Sequence, residues 1–161
     1  MSHHPDNITI NLQQLINRLL TFYSPVAAKQ KCYFINAVSH GLYVNTGGES
    51  LGTLLGSVLY MVARCSRDTA ILVTAACYSE RAAISIQCSS KADSYQILSG
   101  FQHVELLLKE LNGFLEVNNY DNRETTITFN FASSIKHTIP IDVKKPVNFE
   151  KATSGFILRT S

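Results

Sequence analysis

The chain has 161 residues, 45% of them apolar, and its charged fraction of 16% lies well under the ~25% of an average globular domain; the formal net charge is +2. That is one domain's length with material for a real core, which excludes a disordered chain. No apolar run approaches the roughly 18–20 residues that cross a bilayer, and the N-terminus MSHHPDNITI has no basic region followed by an apolar stretch, so no signal peptide and a cytoplasmic location are expected.

A short strand is expected at Ile8–Ile10. Leu12, Leu15, Ile16, Leu19, Leu20, Phe22, Tyr23 and Val26 recur at intervals of three and four, the spacing of one helical face, with Asn11 as its cap. Pro25 should kink this helix or end its first part, and the sequence continues helix-like to Lys31. Cys32–Val38 reads as a strand, followed by a Ser-His-Gly turn and a polar loop with Gly47 and Gly48. A second helix is predicted over Ser50–Ser66, with Leu51, Leu54, Leu55, Val58, Leu59, Val62 and Cys65 on a broad apolar face; Gly52 and Gly56 suggest close packing against a neighbour. Ala70–Cys77 and Ala82–Cys88 form an antiparallel hairpin across YSER. A third helix is predicted over Ser94–Asn112, stopping at Asn112-Gly113, and a second hairpin pairs Phe114–Asn118 with Thr125–Phe131.

The resulting order, β-α-β-α-β-β-α-β-β, favours an α+β two-layer α/β sandwich with three helices on one face of a mixed sheet. Residues 1–131 make up this domain, and 132–161 are expected to be a basic extension, partly ordered or flexible. The extension carries the excess charge, with five bases and two acids against nine bases and ten acids in residues 1–131. Cys32, Cys65, Cys77 and Cys88 include no CxxC pair, so buried free thiols are expected rather than a zinc site.

The element order and local sequence resemble the ATP-binding domain of sensor histidine kinases, the Bergerat-type ATPase fold. The likeness runs from Asn7 to Phe131. INLQQLINRLLTFYSPVAAKQKCYFINAV looks like that family's opening strand, first helix and second strand, including its usual proline. ESLGTLLGSVLYMVARCSRDTAILVTAAC looks like the helix that carries the N box and the strand after it, and SGFQHVELLLKELNGFLEVNN is similar to the second glycine box, its helix and the next strand. The resemblance implies a nucleotide site at defined positions, and at those positions the family's polar groups are missing. The magnesium-holding Asn falls on Met61, or on Ser57 one turn earlier. A thioether is a poor ligand for a hard cation. The adenine-binding Asp falls on Cys88, with Ser90 where a glycine would stand; Gly100 matches one glycine of the second box, its companion being Leu98. Ser89–Asp93, five residues reaching at most about 17 Å, leave no room for an ATP lid.

His40 reads as an ordinary turn histidine and His103 as a structural one; Glu105 and Glu110 read as solvated, with Glu105 and Lys109 an i,i+4 pair. No serine lies in a GxSxG elbow, and Lys136, Lys144, Lys145, Lys151 and Arg159 are too dispersed for a nucleic-acid stripe. The leading expectation is a degenerate, non-catalytic histidine-kinase-like domain without cofactor, contacting a response regulator or kinase in two-component-type signalling, with self-association to a homodimer as a further possibility and neither nucleic acid nor membrane as partner. The alternatives are a functional ATP-binding domain with atypical ligands drawn from Ser57, Asp68, Asp93 and Gly100, or a pocket for another small molecule.

Overall fold

The computed structural model describes residues 7–89, 100–120, 123–133 and, as backbone, 155–159. The chain opens with β1 (Asn7–Asn11) and α1 (Leu12–Lys29), then β2 (Tyr33–Asn36), β3 (Tyr43–Gly47) and α2 (Gly48–Cys65). The hairpin β4 (Ala70–Tyr78) and β5 (Arg81–Cys88) follows, then a 3-10 turn over Gly100–His103 that leads into α3 (Val104–Glu110). The hairpin β6 (Phe114–Tyr120) and β7 (Glu124–Ala132) and a last strand, β8 (Gly155–Arg159), complete it.

Asn11 caps α1 as its sequence position suggests: its Oδ1 accepts the Gln14 N–H at 3.0 Å, relieving one of the helix's free amides. Pro25 does not end the helix. Its missing N–H would have served the Thr21 carbonyl, and the Ser24 hydroxyl donates to that oxygen instead, at 2.8 Å. Asn36 ties the end of β2 back to α1, donating to Gln13 O at 3.2 Å and Asn17 Oδ1 at 2.7 Å.

The six-stranded sheet runs β2-β4-β5-β7-β6-β8, with β2 parallel to β4 and every other pair antiparallel. Period-two alternation sends Ile71, Val73, Ile84, Ile86, Ile127, Phe129 and Phe131 to one face. There they join Leu12, Ile16 and Leu20 of α1, the apolar face of α2, and Val104 and Leu108 of α3 in a single core. Of the residues expected on the apolar face of α1, Phe22 is left exposed. The predicted α+β sandwich is present, three helices against a mixed sheet.

Four features depart from the sequence reading. The expected polar loop before α2 contains a strand: β3 pairs with β1 as a separate two-stranded ribbon, with Asn7 opposite Gly47 and Asn11 opposite Tyr43. Its Asn-Thr-Gly composition resembles a loop, but backbone pairing with β1 decides its conformation. The third helix is a 3-10 turn and a seven-residue α-helix over its described part, residues 94–99 of the prediction lying outside the described residues. Of the two α2 glycines, Gly56 does pack closely, a Cβ there lying 3.0 Å from Tyr23 Oη, whereas Gly52 faces open space. Finally, β7 passes the predicted boundary to Ala132, and Ser133 is buried with its amide donating to Glu80 O at 2.8 Å. Beyond it, residues 134–154 lie outside the described residues, while β8 adds to β6 as the sheet's last strand.

Asn112, at φ 48°, takes the left-handed position that ends α3, so Gly113 is required for a different reason: a Cβ there would lie 2.6 Å from the Asn130 carbonyl. Backbone cannot yield as a side chain can. Gly113→Ala is therefore expected to destabilise the domain by about 1–3 kcal/mol, an overpacking cost, whereas Gly52→Ala should stabilise it by about 0.5–1 kcal/mol through helix propensity. Urea denaturation of the two variants checks both signs.

Candidate functional site

The positions singled out by the family resemblance lie on α2, on the 3-10 turn before α3, and at the end of β5. Ser57 and Met61 are one turn apart on α2, both half-buried. Met61 extends to the 3-10 turn, where a Cβ built on Gly100 would fall 2.2 Å from its Sδ and 2.8 Å from its Cε. The sulfur therefore rests directly on the glycine backbone. Phe101, the next residue, is fully buried and extends the same apolar packing. The structure thus brings Met61 and Gly100 into contact, a juxtaposition that no spacing in the sequence contains.

Cys88 closes β5 between Ile71 of β4 and Thr125 of β7, and all three side chains are buried. Beyond it, Thr69 Oγ1 and Ser89 Oγ share a hydrogen bond at 2.8 Å. Ser90, Asp93 and the rest of the linker that reads as too short for an ATP lid lie outside the described residues. Asp68 is not near Met61's contact with Gly100: it stands exposed at φ 50° after α2, its amide donating to Gln30 O at the end of α1 at 3.1 Å. His40 is an exposed turn residue whose carbonyl accepts from Asn11 Nδ2 at 3.3 Å, and His103 is exposed on the 3-10 turn. At the other end of α3, Glu110 accepts a hydrogen bond of 2.5 Å from Ser50 Oγ, pinning the start of α2.

At the position that the resemblance gives to the magnesium ligand, Met61 presents a thioether. A thioether offers no hard oxygen to the cation, and among the described residues no three His, Cys, Asp or Glu side chains gather as a metal site. A groove of about 430 Å³ lies elsewhere, between α1 and β2, lined by Asn17, Thr21, Ser24, Cys32, Tyr33 and Asn36 among others. Its Thr21 and Ser24 hydroxyls already donate to α1 carbonyls, and its lining includes no Asp, Glu, His or Lys.

No family model and no curated protein matches the sequence, but solved structures match the fold. The catalytic domain of the histidine kinase ThkA superposes with a TM-score of 0.63 at 15% identity, over 79% of this chain and 95% of that one. The histidine kinase AdeS of Acinetobacter baumannii matches with a TM-score of 0.66 at 10% identity, over 80% and 68%. Full-length ShkA, solved in complex with AMPPNP, gives 0.70 at 14% identity over 83% of this chain and 32% of ShkA. The chain has the fold of a histidine kinase ATP-binding domain. No helix among the described residues is long and apolar enough to cross a membrane.

Cys32 and Cys88 are buried, while Cys65 and Cys77 are half-buried. Burial pushes the Cys77 thiol above its ordinary value, and burial, followed by the nearby Cys77, pushes the Tyr78 phenol up as well. An acid whose folded pKa is raised contributes full stability below its unfolded pKa and loses it as pH rises through the folded value. Stability should therefore fall above the ordinary thiol value of 9.0, and Cys77→Ala should flatten part of that decline. Thermal melts between neutral and alkaline pH read the difference directly.

Proposed function

We propose that the chain is a degenerate histidine-kinase-type ATP-binding domain that binds no nucleotide and acts through protein contacts, as a regulatory module in two-component-type signalling. The observation that carries this reading is the Met61 sulfur resting on Gly100. By resemblance these are the magnesium-side and phosphate-side positions of the family's site, and here a soft, apolar side chain joins them. Cys88, at the position of the adenine-binding carboxylate, is buried between Ile71 and Thr125, which supports the same reading.

The kind of partner follows from the fold's relatives. ThkA has been solved in complex with the response regulator protein TrrA, at a TM-score of 0.63 to this chain and 15% identity. A response regulator or a kinase is accordingly the partner proposed here, with this chain supplying a surface and not a phosphoryl group.

Calorimetric titration with ATP and ADP, with and without magnesium, tests the reading. The expected outcome is no saturable heat at micromolar nucleotide under either condition. Micromolar binding that requires the metal would overturn it and restore a working nucleotide site built from other ligands.

A further inference from the structure

The opening charge count placed the excess of bases in the tail, yet the fold makes a second concentration that the count does not show. α1 and α2 end side by side, joined by the Asp68 amide on Gln30 O. Four exposed bases therefore meet at one end of the helical layer: Lys29 and Lys31 after α1, and Arg64 and Arg67 at the end of α2. Asp68 is the one acid among the described residues of these two segments, while Glu49 and Glu110 stand at the opposite end of α2. Helix dipoles account for a base in each last turn, Lys29 and Arg64. They do not account for Lys31 and Arg67, nor for what lies next to them.

A chain of aromatic rings crosses from α1 to α2 beside these bases. Phe22 meets Tyr23 edge-on at 5.0 Å, and Tyr23 meets Tyr60 at 6.0 Å. The Arg64 guanidinium stands 5.6 Å over the Tyr60 ring, and its Nη1 donates to Tyr60 Oη at 3.4 Å. Phe22 is 74% exposed and Tyr60 41%. An arginine fork held in place on a tyrosine retains free N–H groups and loses little entropy when a carboxylate docks, and Tyr and Arg are the residue types that dominate binding energy at protein interfaces.

We infer that this end of the α1–α2 layer is a docking surface for an acidic segment of a partner protein, in which carboxylates meet Arg64, Lys29 and their neighbours and an apolar or aromatic side chain covers Phe22. The inference rests on the protein-contact reading above and names the chemistry of the contact. Charge complementarity selects this occupant. A second copy placed with the same face inward would set four bases against four, and the chain's own residues 134–154 carry four bases and two acids, so they are repelled as well. The bases gather at the ends of two helices instead of tracking a groove, unlike a site that follows a nucleic-acid backbone.

The test uses the full chain and a short fluorescein-labelled peptide of Asp and Glu with one Tyr, read by anisotropy at low and high salt. An uncharged peptide, a single-stranded oligonucleotide and phosphatidylserine–phosphatidylcholine vesicles serve as parallel arms. Salt-sensitive binding of the acidic peptide is expected, weakened by about tenfold or more in the Lys29→Glu/Arg64→Glu variant, weakened by Phe22→Ala, and unchanged by Lys109→Gln. The substituted side chains are exposed, and far-UV circular dichroism verifies that the variants fold. Absence of binding, equal binding by the Lys29→Glu/Arg64→Glu variant, or tighter binding of the oligonucleotide or the vesicles would overturn the inference. So would a dimer in sedimentation that the same variant dissociates. None of these outcomes depends on the nucleotide titration, so the two readings fail separately.

Discussion

The burial of α2 is the constraint on which the rest of this structure depends. From Leu51 to Ala63 the helix carries no charge, and eight of its residues are buried. It touches α1 on one side, α3 on the other, and the β1–β3 ribbon at its start. A helix so broadly apolar is stable only when neighbours cover most of its circumference, and each of those neighbours gains its own position from the contact. Tyr23 reaches over Gly56, Ser50 holds Glu110, and Met61 covers Gly100. The same continuity of apolar packing that fixes the helical layer passes through the place where the family resemblance puts a polar site. An asparagine in place of Met61 would return an oxygen to that place, but it would also leave a thioether-sized gap beside Gly100 and a half-buried amide in need of partners.

Much of the fold was legible because its periodicities are strong. The three-and-four spacing of Leu12, Ile16 and Leu20 and the alternation of Ile84, Ile86, Ile127 and Phe129 each give one consistent face, and the buried residues match them. β3 was not legible, since Asn45, Thr46 and Gly47 carry no strand signal of their own; their conformation is imposed by pairing with a strand more than thirty residues earlier. The break of the third helix into a 3-10 turn and a short α-helix was hidden for a similar reason. Gly100 is weakly helical, and what leans on it comes from α2. The continuation of α1 past Pro25 was legible, whereas the Ser24 hydroxyl that serves the Thr21 carbonyl acts only once the helix has formed.

The candidate site divides along the same line. That Met61 and Cys88 depart from the family's polar positions can be read from the residues; that Met61 touches Gly100 requires the fold. The basic end of the helical layer is less legible still. Lys29 and Lys31 are separated from Arg64 and Arg67 by more than thirty residues of sequence, and a charge count along the chain sees two bases at each place and nothing unusual. Only the side-by-side ending of α1 and α2 gathers them.

The distribution of charge follows the helical layer. Met61 of α2 rests on Gly100 before α3, and Phe101, next to Gly100 in sequence, is buried. Tyr60 and Arg64, within a turn of Met61 on α2, stay exposed. There the exposed aromatic chain from Phe22 to Tyr60 costs solubility and adds little to the core, so it is not what packing alone would favour. Its persistence next to four bases is better explained by a partner than by the fold. The core packs α1 against α2, and the Asp68 amide on Gln30 O ties their ends together; bases and rings held in place in this way lose less entropy when a partner docks.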